Sequence, residues 1–546
     1  MRKNSFVEGT FVAYIAILIS KIMGALYSIP FYQMIGEQGG VIYSCAYSVY
    51  ALFLDISTAG IPIAVSIVIS EYNAKKMYRS KERAYRMCLL IVTGMSLLSF
   101  LALQLFAKQV GLYFLGDMTE GVSVGDIAAG VRVVSICLLI APLLSIKRGY
   151  LQGHKFIAAS SQSQVIEQFV RIAVVLAGTY VAIYVLKLGT TVGVCVALSG
   201  AAAGALAAYL YLRKKSRESE DVFRLDDTAE ERPASGKEVL RKVASYCITL
   251  VIMSVSINVY HIVDMKMLLV GLHKLKFSDA DTQVIASIAS TWVPKIGMII
   301  TALSTGLSSS IAPHMAASRS AGNKKELARN LNQALGTILL ISVPLGLGMI
   351  YFAEPIFLLF YGKNTYGPEL LRLAVVVNVV GNMATVASMT MQSVGRGKTV
   401  CIVNLIGIVL NAGLDLPLIY LFNALGLPPY LGASVASVIG QGLTAFLLLH
   451  SLKRAYGFGF RKLGQTLLRE LIPMGAMMAA VVLLRAIWAP VTTRGILLVV
   501  QLALYAAVGG SVYLVLAYRF GAVSAVIGNQ ALRRLMSKLP FRQKNG

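Results

Sequence analysis

Two lysines, Lys21 and Lys295, stand near the middle of apolar stretches long enough to cross a bilayer. A charge at that depth costs at least ~2.5–3.5 kcal/mol on insertion scales, so each lysine needs a reason to be there. The plain reason is a side chain that snorkels to the interface or pairs with a neighbouring helix. The functional reason is an anionic ligand: cations in a low-dielectric cavity attract a group such as pyrophosphate strongly. Other polar groups share this depth. The first half of the chain supplies Asp55, Arg132, Glu167 and Arg171. The second half supplies Asn258, His261, Asp264, Arg372, Asn378, Asn382, Asn411 and Asp415.

Their spacing separates several chemistries. Glu167 and Arg171 are four apart and share a helix face, where they can pair as ligand-binding or purely structural groups. Arg132 lies toward a span end, where snorkelling is easy. His261, Asp264 and Asp415 suit a proton or a monovalent cation, as a coupling site or as packing polar groups. Asp55, with the two lysines, Arg132, Glu167 and Arg171, completes the candidate substrate set.

Signatures of catalysis are missing from the sequence. It contains no GxSxG, no HExxH and no GxxxxGK[ST]. The Gly395–Lys398 run GRGK has too short a glycine spacing for a phosphate loop and reads as a basic turn. The six cysteines are scattered singly, without CxxC spacing, so neither a disulfide framework nor a metal site is expected. A non-enzyme without a cofactor is expected. Its work would be driven by a monovalent cation gradient, membrane potential or substrate turnover.

The elements that must position these groups are transmembrane helices. Of 546 residues 57% are hydrophobic and 14% charged, and the mean hydropathy is +0.71, unlike a soluble domain. A net charge of +25 would suggest nucleic acid in a soluble protein. Here the basic residues cluster in short loops between apolar spans, so no nucleic-acid partner is expected. A window of ~20 apolar residues gives fourteen spans, near 9–35, 40–69, 84–107, 125–146, 165–187, 191–213, 243–265, 283–312, 332–354, 367–392, 399–421, 431–453, 468–488 and 495–518. With both termini cytoplasmic, the outer loops hold only Lys108, Lys187, Lys266, Lys274, Lys276, Lys363 and Arg494. That bias fixes the expected orientation.

A polar stretch divides the chain into an N-terminal lobe, 1–213, a cytoplasmic linker, 214–242, and a C-terminal lobe, 243–454. Two further helices follow in 455–518, and 519–546 forms a cytoplasmic tail. Asp226 and Asp227 belong to the linker and read as solvated charges. Polar positions recur across it: Glu167 and Arg171 align with Asn411 and Asp415. This suggests two six-helix repeats in the same orientation. Helix breakers sit beside the lysines: Gly24 and Pro30 in the first span, Pro294 in the eighth, with Gly60 and Pro62 in the second. They are candidate hinges.

The stretches SKIMGALYSIP, AGIPIAVSIVISEY and WVPKIGMIITALSTGLSSSIAP, with fourteen spans, resemble the polysaccharide-exporter branch of the MATE-like MOP superfamily. Within it the likeness is to lipid II flippases of the MurJ and stage V sporulation protein B-like types, and it covers essentially the whole chain. The resemblance implies an all-α membrane protein of the bacterial cytoplasmic membrane, with two pseudo-symmetric six-helix lobes around a cavity. Two C-terminal helices would form a lipid groove, and the protein would act as a monomer in the bilayer. It implies outward transport of an undecaprenyl-pyrophosphate-linked precursor, lipid II above all, by alternating access, with Lys21 and Lys295 facing the cavity. Tyr27, Ser28 and Asp55 stand where the family pattern has arginines. A flippase for another lipid-linked glycan (teichoic acid, capsule or O-unit) therefore stays open. So do a multidrug antiporter and, from a different class, a membrane glycan polymerase or ligase.

Overall fold

The computed structural model describes residues 19–58, 60–74, 76–218, 235–302, 315, 318–319, 322–457 and 459–527. Parts of the expected first and eighth spans (9–18 and 303–312), the linker core with Asp226 and Asp227, and most of the tail (528–546) lie outside them. The described residues are mostly helical, without strands. In chain order the helices are α1 (19–26), α2 (Ser28–Thr58), α3 (Ile61–Ala74), α4 (Tyr78–Leu105), α5 (Ala107–Leu115), α6 (Val124–Ser135), α7 (Cys137–Gly153), α8 (Ile157–Ala173), α9 (Thr190–Arg217) and α10 (Gly236–Lys274). They continue with α11 (Asp279–Ser287), α12 (293–302), α13 (Lys324–Tyr351), α14 (Ala353–Tyr361), α15 (Gly367–Ser393), α16 (Gly397–Ala424), α17 (Gly432–Tyr456), α18 (Phe460–Ile487), α19 (Ile496–Arg519) and α20 (Ala522–Ile527).

Thirteen of the helical runs described are long and apolar enough to cross a membrane. The first, Ser28–Asn73, has 46 residues, over twice the ~20 that a span needs. It is broken at Gly36, whose φ of 65° and ψ of −170° fit no helix and favour a residue without Cβ. Gly60 (φ 74°) separates α2 from α3, and Pro62 follows in the first turn of α3, where its missing N–H costs nothing.

Contacts divide the chain into two compact units. One comprises Met1–Met298 with Ile408–Ala433, the other Ile299–Gly407 with Ser434–Gly546. One local design occurs in each. In the first unit the 28-residue α4 ends at Phe106 (φ −97°, ψ 15°), and the nine-residue α5 ends at Gly116 (φ 59°). In the second, the 28-residue α13 ends at Phe352 (φ −100°, ψ 23°), and the nine-residue α14 ends at Gly362 (φ 91°). The turns after α7 and α15 match as well: Lys155 N–H donates to the Gln152 carbonyl and Phe156 N–H to Leu151, as Gly395 does to Gln392 and Arg396 to Met391.

Candidate functional site

Lys295 is 7% exposed, and among the described residues its Nζ has no hydrogen-bond partner. It sits instead among aromatic faces. The ammonium lies 4.2 Å from the Trp292 ring centroid, 4.4 Å from Tyr43, 5.3 Å from Tyr27 and 6.0 Å from Phe31. Each desolvated cation–π contact contributes ~2 kcal/mol. The two close rings therefore offset several kcal/mol of the burial cost without neutralising the charge.

Local structure builds this box. Trp292 and Lys295 are three residues apart, hence neighbours on one helix face. A π-helical turn, Ile288–Trp292, precedes Pro294 and accommodates a residue that has no N–H for the α ladder. On the first span the helix breaks at Tyr27, between Gly24 and Pro30; Pro30 cannot donate to the Leu26 carbonyl. Tyr27 and Phe31 then share a face. Gly40 lets α2 approach the indole: a Cβ there would meet Trp292 Nε1 and Tyr32 Cε2 at 3.0 Å. Trp292 Nε1 donates to Ser287 Oγ (3.0 Å), which is 2.8 Å from Ser44 Oγ. The indole is thus pinned at both edge and face.

Tyr43 stacks on Tyr47 (centroids 5.4 Å apart, planes at 9°), and Tyr47 meets Tyr50 at 5.6 Å. This stripe leads to a second cationic station, since the Arg171 guanidinium is close enough to act electrostatically on Tyr47 and Tyr50. There Glu167 accepts from two arginines: Arg148 Nη2 at 2.9 Å and Arg171 Nη2 at 3.0 Å. Arg148 Nε also donates to Ser163 Oγ (2.8 Å). The three side chains are 13–19% exposed and carry one net positive charge. Sequence reasoning missed Arg148. The expected fourth span ends at 146, whereas α7 continues to Gly153 and carries Arg148 to Glu167.

A third group gathers carboxylates. Asn411 Nδ2 donates to Asp264 Oδ1 at 2.6 Å and lies 3.4 Å from Asp415 Oδ2. Asp415 is fully buried, and neither its Oδ1 nor Asn411 Oδ1 has a partner among the described residues. Two oxygen acceptors without a partner among the described residues, beside two carboxylates, suit a small cation or a shared proton.

The remaining predicted residues lie apart. Asp55 accepts from Asn258 Nδ2 at 2.8 Å, joining α2 to α10. His261, half-buried on α10, makes no hydrogen bond among the described residues and joins no carboxylate. Arg132 is exposed, and its carbonyl rather than its guanidinium is engaged, by Gln104 Nε2 at 2.9 Å. Lys21 is half-buried on α1, the segment that leads to Tyr27. No group of three or more metal-ligating side chains occurs among the described residues.

Comparison with known proteins agrees with this architecture. Residues 6–273 match the family model "Polysaccharide biosynthesis protein", and residues 250–416 match MatE. The lipid II flippase MurJ of Bacillus subtilis (strain 168) is 29% identical over 545 residues, 96% of this chain and 97% of that one. A solved lipid II flippase MurJ, in an inward closed conformation, superposes with a TM-score of 0.65 at 16% identity, over 94% of this chain and 99% of that chain. An inward-facing multidrug resistance MATE family transporter of the MOP superfamily gives 0.63 at 14% identity, covering 81% and 98%. These relatives are flippases and transporters rather than enzymes. The chain is accordingly a multi-pass membrane protein that carries a polysaccharide-biosynthesis and a MatE segment and has the fold of the MOP superfamily.

Proposed function

We propose that this protein is a flippase for an undecaprenyl-pyrophosphate-linked cell-wall precursor, with lipid II as the first candidate. One observation carries the reading: Lys295 is a buried cation held by aromatic faces, with no carboxylate partner among the described residues. A phosphate that reaches such a charge gains a charge-assisted contact without breaking an ion pair. Organic-cation export would favour a carboxylate at this place. The whole-length likeness to a lipid II flippase supports the same substrate class.

In this mechanism Lys21 and Lys295 receive the pyrophosphate from the cytoplasmic side, and bound anion removes the repulsion between them. The ligand thereby favours the state in which the two cations approach, and alternating access follows from that differential affinity. The Tyr43–Tyr47–Tyr50 stripe and the Arg148–Glu167–Arg171 station lie along the path that a sugar headgroup would take. Asp264, Asn411 and Asp415 form the coupling site for a proton or a monovalent cation. His261 is left outside it, because it touches neither carboxylate. Fourteen spans follow when the break at Gly36 ends the expected first span, 9–35, and the second begins after it, and the repeated α4–α5 and α13–α14 motif supports two related lobes. Both termini would be cytoplasmic and the protein a monomer.

Depletion of the protein tests the substrate directly. Lipid II should accumulate in the inner leaflet; accumulation of a different lipid-linked glycan would reassign the substrate, and no accumulation would refute the flippase reading. Cysteines placed at Thr119 and Asn364 should label from outside and one at Ser235 only from inside. A label on the wrong side would break the topology.

A further inference from the structure

A cavity of about 300 Å³ lies at one end of the second unit, between α13, α18 and the short α20. Arg329, Asn332 and Gln333 line it from one face of α13, and Gln465 and Arg469 from one face of α18. Val526 closes the floor, packed in an apolar cluster with Leu340, Met474 and Tyr513. The lining is rich in donors and contains no acidic side chain among the described residues. Glu470, next to Arg469, is fully buried and does not line the cavity. Neither guanidinium makes a hydrogen bond or an ion pair among the described residues.

Depth identifies the ligand. Both helices have 28 residues, roughly 42 Å at 1.5 Å per residue, which spans the hydrocarbon core and both headgroup layers. Arg329 precedes the expected span 332–354 and Arg469 is the second residue of the expected span 468–488, so both stand at the membrane interface, where a long side chain reaches the lipid phosphates, on the side that the basic loops assign to the cytoplasm. Two guanidinium forks that converge on one cavity with amide donors beside them match phosphate oxygens.

We propose that this cavity binds a phosphate group at the inner membrane surface, either the headgroup of an anionic phospholipid or free phosphate. The site is independent of the substrate assignment. Purified full-length protein would be titrated with phosphatidylglycerol, phosphatidylcholine and inorganic phosphate, with thermal unfolding and native mass spectrometry as readouts. Phosphatidylglycerol is expected to stabilise the protein and to stay bound where phosphatidylcholine does not. The Arg329→Gln/Arg469→Gln variant should bind it roughly tenfold or more weakly, with an unchanged unfolding midpoint in lipid-free detergent. Lys363→Gln, which removes an exposed charge elsewhere, should bind like the wild type. If inorganic phosphate reproduces the stabilisation and competes, the proposal holds with a soluble source. Wild-type affinity in the double variant would overturn it. So would equal binding of phosphatidylglycerol and phosphatidylcholine without any effect of phosphate.

Discussion

Lys295 and Arg171 are both buried cations in the same unit, yet they are held by opposite means. Arg171 shares a carboxylate with Arg148 at 2.9–3.0 Å, so most of its charge is spent inside the protein. Lys295 has ring faces at 4.2 and 4.4 Å and no carboxylate partner among the described residues. The difference sets the proposed ligand contact against a cation already satisfied by its own protein. A paired cation locks two helices together, whereas a cation held only by π faces has no ion pair to lose when an anion binds.

The sharpest way to break this contrast is to neutralise each member. Lys295→Met should lower the flipping rate in proteoliposomes tenfold or more at normal expression, since a charge-assisted phosphate contact contributes ~1.5–3 kcal/mol. Lys295→Arg should keep part of the activity, because the charge survives but a guanidinium overfills a box sized for an ammonium. Wild-type flipping by Lys295→Met would make the lysine structural. Glu167→Gln should act on stability instead. Leaving two guanidiniums without their anion costs close to the ~3 kcal/mol lower end for buried pairs, because the cluster is slightly exposed. Thermal unfolding in detergent would show the loss, and adding Arg171→Gln should restore part of it. A loss of substrate affinity with unchanged stability would place the cluster among ligand contacts.

Smaller effects sharpen the comparison. Asp415→Asn should weaken the ion or proton dependence of flipping several-fold and leave headgroup binding intact, read as rate against cation concentration and pH. Gly40→Ala should displace the Trp292 indole and lower activity a few-fold, because its Cβ would lie 3.0 Å from Nε1. Arg132→Gln should change stability by less than ~0.5 kcal/mol and leave transport alone, as expected for an exposed side chain outside the site.

Most of the fold was legible from the sequence because a bilayer forces backbone hydrogen bonds inside each span, so hydropathy alone marks the helices. Lys21 and Lys295 stood out for the same reason, as charges with no solvent to answer them. Span ends were read less well. Basic residues near an interface look like loop residues, and Arg148 lies past the expected end of its span although it reaches back along α7 to Glu167.

Local sequence thus determined that the chain crosses the membrane many times, that Gly and Pro interrupt particular helices, and which side chains sit deep. Tertiary structure alone decided what each deep charge meets. Tyr27 and Tyr43 come from a part of the chain far from Lys295 in sequence and meet it and its helix neighbour Trp292 only because Gly40 and the π turn let the helices approach. Asp264 and Asp415 come together across Asn411 in the same way. Periodicity gives the face of a single helix, whereas the partner of that face is set by packing between helices far apart in the chain.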